Sequence, residues 1–334
     1  MDMSIVQHEA PFGVLIVLYL FLAGLSQGLF LVAAASLFAG LERFRPLARP
    51  AAAMAMATYL PAVLALILDL GKPSRFIHML LYYNPSSVMS WGSVILIGYG
   101  LVLAALILLL WRNHRLARLV GAIGMAPALG LGLYTGLLLA AVRDRPLWSS
   151  GLVPVLFVVS GLVAGMALLM ALARWTSGVS GLEKGHGLSA LHSLKAWLVG
   201  AELVMLGLHF LVLFTGTASG QIAVRLFVTG PRQVSFLWVQ VALGMLLPLL
   251  LLLLGPVRRS GVGSVVAAVL SLAGVFALRY NLVIGGGEIP LTSAVMNRVH
   301  TTPFVWGAVA GLSAAALVLV LLLPRLMGRL TSER

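Results

Sequence analysis

The sequence predicts an all-helical integral membrane protein, and three observations carry that prediction. Of its 334 residues 61% are hydrophobic and only 9% charged, where a soluble domain carries about 25% charged residues. The mean hydropathy is +1.07, so too few polar residues exist to coat a soluble core and the surplus apolar surface must face lipid. Nine apolar runs are each long enough to cross a hydrocarbon layer of about 30 Å.

In order, the runs cover roughly residues 12–40, 51–70, 89–111, 118–141, 151–174, 191–215, 234–255, 262–284 and 303–323. The first is preceded by Asp2 and Glu9 and by no Lys or Arg, whereas a cleaved signal starts with positive charge, so it is expected to stay in the mature chain. Nine spans place the termini on opposite sides. Lys72, Arg75, Arg143, Arg145, Arg225, Arg232, Arg279 and Arg298 count on the N-terminal side, eight of the 22 basic residues, and fourteen fall on the other. Positive charge is retained inside, so the N-terminus is expected outside and the C-terminus in the cytoplasm. Segment 71–87 is the longest outer connection and, being rich in aromatic and basic residues, is expected to form a short interfacial helix. Pro61 and Pro248 are candidate kinks in the second and seventh spans.

Gly24-Leu25-Ser26-Gln27-Gly28 in the first span and Gly161-Leu162-Val163-Ala164-Gly165 in the fifth run in the same direction, 137 residues apart. Small-xxx-small runs mark close helix contacts, and the shared direction suggests two parallel four-helix units. The expected division is 1–148 for a first unit, 149–284 for a second, and 285–334 for an outer loop with a ninth helix; the Gly/Ser-rich stretch 175–190 reads as a linker.

The formal charge of +13 is spread in short clusters between apolar runs, which is membrane orientation rather than nucleic-acid binding. The absence of cysteine excludes a disulfide framework, a Cys-ligated iron-sulfur cluster and a thiolate nucleophile in this protein. His209 alone lies well inside a span, and a bis-histidine haem needs two facing histidines, so no haem is expected. No metal site is expected either, since His78 has no second ligand nearby.

Ionisable groups within a bilayer are costly and point to function, which selects Asp69, Glu202 and His209, with Arg143 and Arg279 near outer ends. Tyr19 and Tyr134 lie at a common depth, roughly 12 to 14 Å from the outer surface, which suggests one pocket; simple aromatic packing is the alternative. Asp69 reads either as a proton acceptor or as an interfacial ion pair with Lys72 or Arg75. Lys195, Glu202 and His209 recur every seven residues along the sixth span, and a helix drifts only about 20° per heptad, so they share one face. That stripe suits a water-linked proton path, or packing with Lys195 snorkelling to the interface.

Three motifs carry a family resemblance: Gly24-Leu25-Ser26-Gln27-Gly28; Asp69-Leu70-Gly71-Lys72-Pro73-Ser74-Arg75-Phe76-Ile77-His78; and Asn84-Pro85-Ser86-Ser87-Val88-Met89-Ser90-Trp91-Gly92. Together they resemble the NrfD-like membrane subunits of polysulphide reductase. Tyr134 with Arg143-Asp144-Arg145-Pro146-Leu147-Trp148 is similar to the family's pattern, and Arg279-Tyr280-Asn281 fits its longer members. The resemblance covers spans one to four well and spans five to seven mainly in layout. It implies a quinone or quinol site at the outer ends of the first four helices of a prokaryotic cytoplasmic-membrane protein. It further implies a periplasmic iron-sulfur partner that relays electrons to or from a large molybdopterin subunit, and no haem. Where the family's first motif usually has a small residue this chain has Gln27, near the inner end and expected to tune packing.

The residue types suit quinone chemistry. Reduction adds protons to two carbonyl oxygens, so the pocket needs donors and a group that exchanges protons with water. Tyr19, Tyr134 and His78 are such donors and Asp69 the exchanger, with Ser90, Trp91, Lys72 and Arg75 at the same face. Trp91 also suits an interface anchor, and Lys72 and Arg75 could orient the partner. With no cluster of its own, the protein must pass electrons to a cofactor on another protein, through outer loops such as 71–87 and 285–302. Two rival readings stand beside this one, a proton-coupled transporter with Glu202 as its coupling site and a passive anchor for outer enzymes.

Overall fold

The computed structural model describes residues 12–38, 41–71, 81–142, 144–172, 187–254, 260–289 and 302–332. Among these residues ten helices form, and nine are long and apolar enough to cross a membrane. Helices are the expected solution, because lipid offers no partner for a backbone N–H or C=O. They are α1 (Val14–Ala35), α2 (Ala48–Asp69), α3 (Val88–Trp111), α4 (Ala117–Ala140), α5 (Leu152–Ala171) and α6 (Gly187–Thr215). A short amphipathic α7 (Ala218–Val228) follows, then α8 (Val234–Leu253), α9 (Gly261–Glu288) and α10 (Pro303–Ser332).

Helix α1 packs on α2 and α4, and α3 closes that quartet by packing on the same two. Likewise α5 packs on α6 and α9, while α8 touches both. The quartets meet along α1 and α5, and α10 lies against α2. At the α1–α5 seam the two Gly-Leu-x-x-Gly runs face each other. A Cβ on Gly28 would fall 2.6 Å from the carbonyl carbon of Gly161, and one on Gly165 would fall 2.6 Å from the backbone nitrogen of Leu29. Backbone meets backbone there, which only glycine permits.

Two stretches depart from α-helical winding. Val234–Leu246 in α8 and Asn281–Gly285 in α9 are π-helical, a winding that is rare and often marks functional positions. Pro248 stands just where α8 returns to α-helix. The glycine-rich run 285–287, expected in an outer loop, instead continues α9 to Glu288. Gly285 lies against the Phe227 ring and Gly286 against the Trp148 indole. The Arg145 guanidinium donates to the terminal carbonyls of Gly287 (2.8 Å) and Ile289 (2.5 Å), which supplies the helix end with partners and a favourable charge. Arg279 is therefore nine residues inside the end of α9 rather than near that end.

The expected interfacial helix in 71–87 falls mainly on residues 72–80, outside the described residues, as do Arg143 and most of the 175–190 stretch. The same holds for 290–301 in the proposed docking loop.

Candidate functional site

The end of the first quartet at which α1 begins is shaped by its turns. Gly71 adopts φ +68°, a left-handed conformation suited to glycine that stops α2 and leaves Asp69 in its last turn. The Asp69 carboxylate lies 3.8 Å from where a Cβ on Gly13 would stand, at the entrance to α1. Entering α3, the Asn84 side chain accepts from the Ser86 backbone N–H (3.0 Å) and hydroxyl (2.7 Å), an Asx turn. Ser90, buried, accepts from the Asn84 N–H at 3.4 Å. Trp91 folds outward, half exposed, with its indole N–H on the Pro85 carbonyl at 2.8 Å and its ring edge-on to Tyr83.

Gly92, the last residue of this motif, is where Tyr134 rests: any Cβ there would overlap the phenol ring and hydroxyl. Tyr19 is fully buried and within electrostatic reach of Tyr134 and Tyr59. It has no hydrogen-bond partner, whereas Tyr59 donates to the Leu96 carbonyl at 2.9 Å. Tyr19, Tyr134 and Ser90 come from three helices, with Asp69 at the same end of a fourth. Lys72, Arg75 and His78 lie outside the described residues.

The sixth-span stripe faces the protein interior. Lys195, Glu202 and His209 are each no more than 1% exposed. Lys195 does not snorkel; its ammonium donates to the Ala267 carbonyl at 3.3 Å. His209 stands against the Leu147 backbone with both ring nitrogens short of hydrogen-bond geometry. Below Lys195, His192 is buried and shares a 2.9 Å hydrogen bond with Ser264.

Arg279 brings the two quartets together. Completely buried, it donates to the Phe157 carbonyl (3.0 Å) and the Ser160 hydroxyl (2.8 Å), and its guanidinium carbon lies 3.5 Å from the Phe157 ring centre. Its charge acts on Glu202, as does that of Lys195. On the other flank, a Cβ on Gly24 would sit 3.3 Å from the guanidinium. The buried acid of α6 thus has a counter-charge on α9, which itself reaches the seam of α1 and α5. Sequence reasoning flagged Arg279 but misplaced it, because a run of glycines does not announce a helix.

Gln27 also differs from expectation. It lies near the middle of α1, and its amide oxygen is wedged where Cβ atoms on Gly132 and Gly161 would stand. Neither amide atom has a hydrogen-bond partner. Further out, Asn281 donates to Gln240 (2.8 Å) and the Ser235 carbonyl (3.1 Å), joining the π-helical stretches of α8 and α9. These two amides and Phe210, Phe227 and Phe236 line a small cavity. Only contacts between distant residues reveal this cluster; Asn281 was visible merely as part of a motif.

Compared with known proteins, residues 4–291 match the family described as NrfD, polysulphide reductase. One component of the polysulfide reductase of Wolinella succinogenes is 29% identical, over 81% of this chain and 92% of its own length. One component of the selenate reductase of Mesobacillus selenatarsenatis is 26% identical, over 85% of this chain and 76% of its own. The Hdr-like menaquinol oxidoreductase integral membrane subunit of Archaeoglobus fulgidus is 27% identical, over 94% and 84%.

Proposed function

The chain belongs to the NrfD family of polysulphide reductase proteins, and on that premise we propose that it is the quinone-reactive membrane subunit of a multi-subunit respiratory oxidoreductase. The observation that carries the reading is the buried, unpartnered Tyr19 hydroxyl beside Tyr134, at the outer end of a quartet that also presents Asp69. A buried donor without a partner costs about 1–3 kcal/mol, and a quinone oxygen is a fitting acceptor for it. The relatives named for polysulfide, selenate and menaquinol support the same class of complex.

In this reading Tyr19 and Tyr134 hydrogen-bond the quinone head, Ser90 shapes its wall, and the tail runs between apolar helices. Asp69 exchanges the protons with outer water, His78 is a further donor to the quinone, and Lys72 and Arg75 bind at the same face or orient the partner. Electrons pass to a periplasmic iron-sulfur partner and on to a large catalytic subunit, of molybdopterin type. The N-terminus lies outside. Lys195, Glu202 and His209 form a proton path from the cytoplasmic side toward the pocket. The buried stripe also suits a proton-coupled transporter, which would take up substrate into vesicles with this protein alone.

The test is quinol turnover by the purified complex. Tyr134→Phe is expected to leave the complex assembled and lower turnover by about 5- to 150-fold, the equivalent of roughly 1–3 kcal/mol. Unchanged turnover and unchanged quinone affinity in that variant would return Tyr134 to packing.

A further inference from the structure

We propose that Gln27 holds internal water that links the tyrosine pocket of the first quartet to the Arg279 and Glu202 pair of the second. The inference rests on the quinone reading and adds to it a lateral proton connection.

Its basis is a set of buried polar side-chain atoms with no protein partner, on helices that Gly-Leu-x-x-Gly packing and the Arg279 hydrogen bonds bring together. Tyr19 Oη, both amide atoms of Gln27, Arg279 Nε and Nη1, and Glu202 Oε1 are all in this condition. Each residue is at most 1% exposed. Leaving one such group unmet costs about 1–3 kcal/mol, and several together are sustained when water supplies the missing bonds. A buried water typically makes about three.

The depths agree. Counted from the outer helix ends at 1.5 Å per residue, Gly24, Gly132, Gly161 and Arg279 all lie about 12 to 15 Å down. Tyr19 and Tyr134 lie about 8 to 9 Å down by the same measure. The Gln27 α-carbon is deeper, but helical side chains lean toward the N-terminus, which for α1 is the outer side. Its amide accordingly reaches the glycine level, next to Gly132 and Gly161. Along the helix axes the step from there to the tyrosines is about 4 to 6 Å, an axial offset that one or two hydrogen-bonded waters cover.

Lateral access has the same origin. Gly24 leaves the Arg279 guanidinium at the α1 surface, and Gly161 lets Gln27 reach α5 next to Ser160, which already binds Arg279. An amide does not titrate, but it donates and accepts at once, so it can hold a water between a phenol and a guanidinium. A proton moves by exchange along the waters toward Glu202 with no net bond change in Gln27. Asp69 then serves outward exchange, and Gln27 serves the route toward the cytoplasmic side.

The experiment uses the complete complex in sealed vesicles, measuring protons moved per electron during quinol turnover. Gln27→Leu is expected to cut that ratio at least 10-fold while turnover stays within twofold. Gln27→Asn, which keeps an amide, is expected to retain at least half of it. An unchanged ratio in Gln27→Leu overturns the link, and so does quinol turnover without proton movement in the unmodified complex; both leave the quinone site standing. A complex that does not use quinol at all sinks the functional reading instead. Should Gln27→Leu fail to assemble, density maps of the unmodified complex that resolve water decide the matter. Ordered water on the Gln27 amide supports the link, and a dry gap overturns it.

Discussion

The two helix quartets share a pattern of helix neighbours and differ in where they bury polarity. In α1–α4, Tyr19, Tyr134, Ser90 and Asp69 gather at one end, that of the α1 N-terminus, with Gln27 and Tyr99 buried deeper. In the quartet of α5, α6, α8 and α9, polar groups run from His192 through Lys195, Glu202 and Arg279 to His209 and Asn281, at nearly all depths. One arrangement suits a ligand that enters from the side of the membrane, the other a path along the membrane normal. The contrast teaches that similar packing leaves the chemistry free, because chemistry resides in a few side chains set on a common frame.

The strongest challenge to this contrast is at the seam that joins the quartets. Gly28→Val would drive a branched side chain into the Gly161 backbone, and the expected outcome is loss of assembled protein in membrane extracts. Normal yield would mean that the quartets can separate without harm. Next in size is Arg279→Met, which removes the counter-charge from buried Glu202 and empties two hydrogen bonds. Leaving the buried Phe157 carbonyl and Ser160 hydroxyl without their donor costs about 1–3 kcal/mol for each group, and thermal unfolding in detergent should register it as a clear loss of stability. A variant as stable as the parent would separate the second quartet's polarity from its fold.

Glu202→Gln keeps shape and most hydrogen bonding, so assembly and quinol turnover should persist while proton movement in sealed vesicles falls at least tenfold. Coupling that survives would assign the whole column to packing. The smallest effect is expected from Trp91→Phe, which loses one exposed hydrogen bond to Pro85. Surface changes of this kind stay within about 0.5 kcal/mol, with turnover unchanged; a large drop in turnover would bring Trp91 back to the quinone entrance.

Much of the fold was legible because length and hydropathy dictate spanning helices whatever their neighbours. The helix ends were readable to within about five residues except at α10, read to 323 but helical to Ser332, and α9 runs past 284 because Gly285–Gly287 remain helical through contacts with Phe227, Trp148 and Arg145. The seven-residue spacing of Lys195, Glu202 and His209 put them on one face, and all three are buried. The same spacing could not say which helix that face meets. Trp91 shows the limit from the other side, since its motif predicts a residue at this face but not the hydrogen bond to Pro85.

By itself, then, the sequence determined an all-helical membrane protein with nine spans and a short list of costly polar residues. Only the tertiary structure decided which helices stand inside and which face lipid. Helices α1 and α10 are comparably apolar, yet their central windows are 94% and 11% buried. In lipid, a helix gains little by turning a leucine inward, because lipid tails are as apolar as the core. Lateral order is left to close packing and polar contacts, such as Gly28 on Gly161 and Arg279 on Ser160, and those join residues more than a hundred positions apart.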